Sequence, residues 1–227
     1  MSLLGEYAAL APLVWLAVAG LAMMVVDAFV KERAELGLTS AMAFLVAGGI
    51  SFGLWDATTG DAGALAPWLA NDRLVIFIDV VVCAGAALAA LLASAYLREH
   101  ELDRGEFYVI LVFSTFGAMT LGRATDLLSL FLALETMSLG VYGLVAFRRL
   151  SPRALEGAMK YFLLGSFAAA VLLLGSALVY GGTGHTDFAG IAESIASREA
   201  VLPLVLLGFA LMLVGLAFKV SAVPFHT

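Results

Sequence analysis

Three charged side chains stand inside long apolar runs, and their chemistry is the transfer of protons. Glu135 lies in Leu127-Leu128-Ser129-Leu130-Phe131-Leu132-Ala133-Leu134-Glu135-Thr136-Met137-Ser138-Leu139-Gly140-Val141-Tyr142. It is too far from either end of that run to reach water easily. Hydrocarbon disfavours a bare carboxylate, which then takes up a proton or finds a partner. Lys219 follows the run from Val201 to Phe218, five positions before Pro224. Burial favours its neutral amine and a nearby carboxylate its charged form, so a lysine there can load and release a proton. Lys160 stands near the start of a further run, Gly157–Tyr180. Each has a plainer alternative. Glu135 could be a permanently neutral acid hydrogen-bonded between helices, and both lysines could reach back to the interface. Ser138 and Tyr142 share the run of Glu135 and can hydrogen-bond between helices, while His226, which titrates near neutrality, could extend a proton path beyond Pro224.

The elements that must position these groups follow from composition. The chain has 227 residues, 63% hydrophobic and 13% charged, with a net charge of −6. A soluble domain of this size cannot cover so much apolar surface with so few charges. The negative net charge leaves no basic face for nucleic acid. Seven apolar segments are expected, at Ala8–Phe29, Leu38–Leu54, Leu74–Leu97, Phe107–Leu121, Leu127–Phe147, Gly157–Tyr180 and Val201–Val223. Continuous runs rather than ten-residue alternation indicate helices, not a barrel. The fold class is an all-α polytopic membrane protein, one transmembrane bundle over residues 1–227, with the seventh helix discontinuous near Pro224, where a backbone donor is missing. The first segment does not read as a signal peptide, since Glu6 and no basic residue precede it.

Lys31, Arg33, Arg98, Arg104, Arg148, Arg149 and Arg153 fall in alternate breaks, against Arg73, Arg123 and Arg198 in the others. That bias places the N-terminus on the periplasmic side. Gly181 to Asp187 is expected to be a flexible turn. It leads into Phe188, Ile191 and Ile195 on one face, either a short amphipathic surface helix or a loop packed on helix ends. Asp27 and Asp79 are expected at helix ends, and Asp126 is expected to cap the fifth helix. Cys83 stands alone, and His100, His185 and His226 are scattered, so no metal-ligand spacing is present. There is no phosphate-binding glycine motif.

Leu134-Glu135-Thr136-Met137-Ser138-Leu139, Lys160-Tyr161-Phe162-Leu163-Leu164-Gly165-Ser166-Phe167-Ala168 and Phe218-Lys219-Val220-Ser221-Ala222-Val223-Pro224-Phe225-His226-Thr227 occur in register. Together they resemble the antiporter-like membrane subunits of respiratory complex I, nearest the subunit N (subunit 2) branch of NADH–quinone oxidoreductase. The resemblance implies a fourteen-helix subunit with two inverted five-helix repeats, each with one discontinuous helix. It implies that Glu135 and Lys219 form an ion pair controlling proton passage, with Lys160 as the sixth-helix lysine. It also implies coupling to electron transfer from NADH to quinone, with FMN, iron–sulfur clusters and quinone held in other subunits and no cofactor or metal in this chain. The partners implied are other membrane subunits and lipid, in the bacterial inner membrane. The sequence stops at Thr227 inside the last motif, so the expectation is the N-terminal half of a longer subunit. Two other readings stay open: a subunit of a multisubunit cation/proton antiporter, which shares the Glu and Lys pattern, and a non-conducting structural fragment.

Overall fold

A computed structural model describes residues 7–29, 34–57, 60–61, 65 and 67–223. A 3-10 turn at Ala8–Leu10 leads into α1 (Ala11–Phe29), followed by α2 (Ala34–Gly53), α3 (Arg73–Glu99), α4 (Glu106–Arg123), α5 (Leu127–Val145), α6 (Pro152–Thr183), the short α7 (Phe188–Ala196) and α8 (Leu202–Lys219). Among the described residues, six helices are long and apolar enough to cross a membrane. The exception among the long ones is α4, which begins with Glu106 and ends with Arg123. A two-residue antiparallel pair, β1 (Gly60–Asp61) with β2 (Ala70–Asn71), lies in the connection between α2 and α3.

The helices form two packed groups. One core joins α1 to α4 through Leu16, Phe44, Ala90, Tyr108 and Val112. The other joins α5, α6, α7 and α8 through Leu134, Leu172, Val179, Ile191 and Met212. One close approach is between α6 and α8. A Cβ on Gly175 would lie 2.6 Å from the carbonyl oxygen of Gly208, and one on Gly208 would lie 2.8 Å from that of Gly175. Without such glycines the two backbones could not touch, and in lipid that contact replaces the hydrophobic driving force.

Helix ends depart from the expected bounds in instructive ways. Gly181 and Gly182 do not form a turn. They continue α6, where Gly182 makes room for Val205, and the helix stops only at Gly184 in the left-handed region (φ 76°). The amphipathic stretch is a helix, α7, packed on the helix ends rather than lying apart. Ile191 is buried with Gly190 and Ser194, while Phe188 and Ile195 are exposed. Asp126 caps α5 in a reciprocal box, accepting from the Ser129 N–H at 2.6 Å while the Ser129 hydroxyl accepts from the Asp126 N–H.

Asp79 is not at an interface. It is fully buried within α3, where it pairs with the equally buried Arg123 and accepts from the Ser51 hydroxyl at 2.7 Å. Arg123 also donates to the Ala9 carbonyl at 3.0 Å. Counted from sequence as a loop charge, Arg123 instead ties the ends of four helical segments together.

Candidate functional site

The end of the last described helix sets the site. Pro224, where a break was expected, lies outside the described residues, as does His226. The helix ends earlier, at Lys219 itself. The N–H of Ala222 donates to the Ala217 carbonyl at 2.9 Å and that of Ser221 to the Phe218 carbonyl at 3.0 Å. Ser221 takes the left-handed conformation, φ 52°. This is a Schellman end, which satisfies backbone carbonyls that lipid could not. It uses serine where glycine is usual, so the stop stores backbone strain.

The Lys219 side chain extends from this end to α5. Its ammonium has three protons to donate, and the structure gives three oxygens: Ser138 Oγ at 2.8 Å, Tyr142 OH at 2.9 Å and Glu135 Oε1 at 3.3 Å. All three come from one helix at positions i, i+3 and i+7, which share a face. The lysine side chain is 9% exposed and the glutamate 21%. The carboxylate is the most distant of the three, so it supplies counter-charge while the hydroxyls supply the shorter hydrogen bonds. The Ser138 hydroxyl donates to the Leu134 carbonyl at 2.6 Å. Its one proton is thus committed, and it meets the lysine with lone pairs only. The ammonium also lies 5.3 Å from the centroid of the Tyr142 ring.

α6 forms the wall behind Tyr142. Tyr161 and Phe162 meet the Tyr142 ring edge-on, at 4.9 Å and 5.8 Å between centroids. Gly165 lies directly against its hydroxyl end. Lys160 is not brought into the cluster. It pairs with Glu156 one turn earlier on α6 at 2.5 Å, and both side chains are largely exposed.

In comparisons with known proteins the family model covers this half of the chain, and the relatives cover nearly all of it. Residues 124–227 match the family model described as NADH:quinone oxidoreductase/Mrp antiporter, TM. That region holds all four residues of the cluster. A curated relative, NADH-quinone oxidoreductase subunit N 1 of Sorangium cellulosum, is 54% identical and covers 99% of this chain. Over these residues the chain resembles the antiporter-like membrane subunits of that family. It spans about half the length of the curated relatives it matches, 48% for the Sorangium protein. A chain in the structure of respiratory complex I from Thermus thermophilus with bound aureothin superposes with a TM-score of 0.76 at 31% identity, covering 95% of this chain and 45% of that one. A chain of the Mrp complex from Dietzia gives 0.73 at 24% identity, covering 99% and 42%, and shares the fold.

Two features were not read from the sequence. The Asp79–Arg123 pair had a signal, two opposite charges each at the edge of an apolar run, but nothing in the spacing joined them across 44 residues. Gly165 had none beyond its place in the Lys160–Ala168 motif. Among the described residues there is no group of three or more His, Cys, Asp or Glu side chains arranged to hold a metal ion.

Proposed function

We propose that this chain is a proton-translocating part of the membrane arm of an NADH–quinone oxidoreductase, in the bacterial inner membrane with its N-terminus periplasmic. In this reading Glu135 and Lys219 carry the switch, Ser138 and Tyr142 hold the lysine, and Lys160 and His226 lie on the proton path. Electron transfer, with FMN, iron–sulfur clusters and quinone, belongs to neighbouring subunits, and other membrane subunits are the partners.

The observation that carries the reading is the ammonium of Lys219, shielded at the end of α8 and held by three oxygens of α5. Protonating Glu135 removes the only counter-charge among those three. The two hydroxyls keep the side chain docked through that step, so charge changes while geometry is held. Relatives named as subunits of NADH-quinone oxidoreductase favour this over a cation/proton antiporter without redox partners. The test is proton uptake in native membrane vesicles carrying Glu135→Gln or Lys219→Met in the complete subunit, at matched levels of assembled complex. Both are expected to lose NADH-driven proton movement. Wild-type pumping in both variants overturns the proposal.

A further inference from the structure

We infer that Gly165 is a positioning residue for the proton switch: by having no side chain, it provides the seat in which the Tyr142 hydroxyl is held against Lys219. This rests on the function proposed above and adds a residue to it. Tyr142 is 5% exposed, and its ring is hemmed at right angles by Tyr161 and Phe162. The ring therefore has little freedom to swing. A Cβ built on Gly165 meets the Tyr142 hydroxyl first and comes within 2.6 Å of its Cζ. No real pair of such atoms sits that close, so any side chain at 165 pushes the hydroxyl out of place. The hydroxyl accepts from the lysine ammonium at 2.9 Å, and displacing it breaks one of three hydrogen bonds. The contact runs from α6 through α5 to α8. Each step is a physical contact: glycine to hydroxyl, hydroxyl to ammonium. Gly157, on the same helix, has nothing within 4 Å of its Cβ position and sets the comparison.

The experiment uses the complete subunit in its assembled complex in native membranes. Proton pumping is recorded against pH for Tyr142→Phe, Gly165→Ala, the double variant and Gly157→Ala. Gly165→Ala is expected to lower pumping roughly tenfold, as loss of one hydrogen bond to a charged group does. It should also move the pH midpoint in the same direction and by the same amount as Tyr142→Phe, with no further change in the double variant. Gly157→Ala should match wild type. A merely structural role would reduce the quantity of complex and leave the midpoint in place. The inference is overturned if Gly165→Ala keeps the wild-type midpoint, or if the two changes add. Should Gly165→Ala fail to assemble, the double variant decides. Recovery of assembly once the hydroxyl is gone supports the seat, and no recovery overturns it. Lys219→Met run alongside separates the two levels: if it pumps normally the underlying function fails, and if it is inactive while Gly165→Ala is normal only this inference fails.

Discussion

At the scale of single residues, the Lys219 site divides its work between charge and hydrogen bonding. Glu135 balances charge from 3.3 Å, while Ser138 and Tyr142 make the shorter contacts. Removing a hydroxyl should therefore weaken the site without emptying it. Ser138→Ala is expected to reduce proton pumping by roughly tenfold, because one hydrogen bond to a charged group is lost. Lys219→Met is expected to abolish it. Vesicle pumping at equal complex content checks this, and an abolished signal in Ser138→Ala would show that the serine does more than accept one hydrogen bond. The i, i+3, i+7 spacing of Glu135, Ser138 and Tyr142 is visible in the sequence, and so is the depth of Lys219. What joins them is not, since no spacing rule links α5 to a lysine 84 residues away. The Glu135–Lys219 pairing came from family resemblance. The same resemblance places Lys160 in the proton path, yet its side chain turns to Glu156 on the outside of α6.

At the scale of elements, apolar runs made the long helices legible, because lipid demands about 20 apolar residues per crossing. Their ends were less so. Gly181-Gly182 reads as a turn by the rules for soluble proteins, but between membrane helices glycine serves close packing, and α6 runs through it to Thr183. The discontinuity expected near Pro224 lies outside the described residues, and within them the Schellman end at Ser221 stops the helix at Lys219. That end fixes where the lysine leaves the backbone. Ser221→Gly should relax the left-handed position and be tolerated or mildly stabilising. Ser221→Val, β-branched at φ 52°, should cost about 1–3 kcal/mol. Thermal denaturation of the purified protein measures both. A Val variant as stable as wild type would mean that the strained position does not limit the stop.

At the scale of the whole molecule, two contacts organise the bundle's ends. At one end Arg123 and Asp79 clasp α1 to α4. Beside them the Thr125 N–H donates to the Trp68 carbonyl and the Phe188 N–H to the Thr125 carbonyl. Removing one partner leaves the other charge buried and unpaired, so Asp79→Ala or Arg123→Ala should destabilise the bundle by about 3–5 kcal/mol. Loss of folded protein from membranes is the readout, and normal levels would refute the clasp. At the opposite end Arg149 donates to Glu106 at 2.6 Å, which brings the connection between α5 and α6 beside the start of α4. These contacts divide the connections into two faces, as alternating crossings require. With Arg123 buried, the described loops and adjoining helix ends carry Arg98, Arg104, Arg148, Arg149 and Arg153 on one face and Arg73 and Arg198 on the other. The basic bias of the sequence count persists with Arg123 set aside, and under the proposed orientation the first face is the cytoplasmic one. Cysteine labelling tests that assignment directly. Cys83, the only cysteine of the chain, is buried and should give little background. Leu150, 95% exposed, and Ser197, exposed on the other face, accept new cysteines. In intact cells a membrane-impermeant maleimide should label Ser197→Cys and spare Leu150→Cys. Inverted vesicles should reverse the pattern. Labelling of Leu150→Cys from outside intact cells would invert the whole bundle and overturn the proposed periplasmic N-terminus.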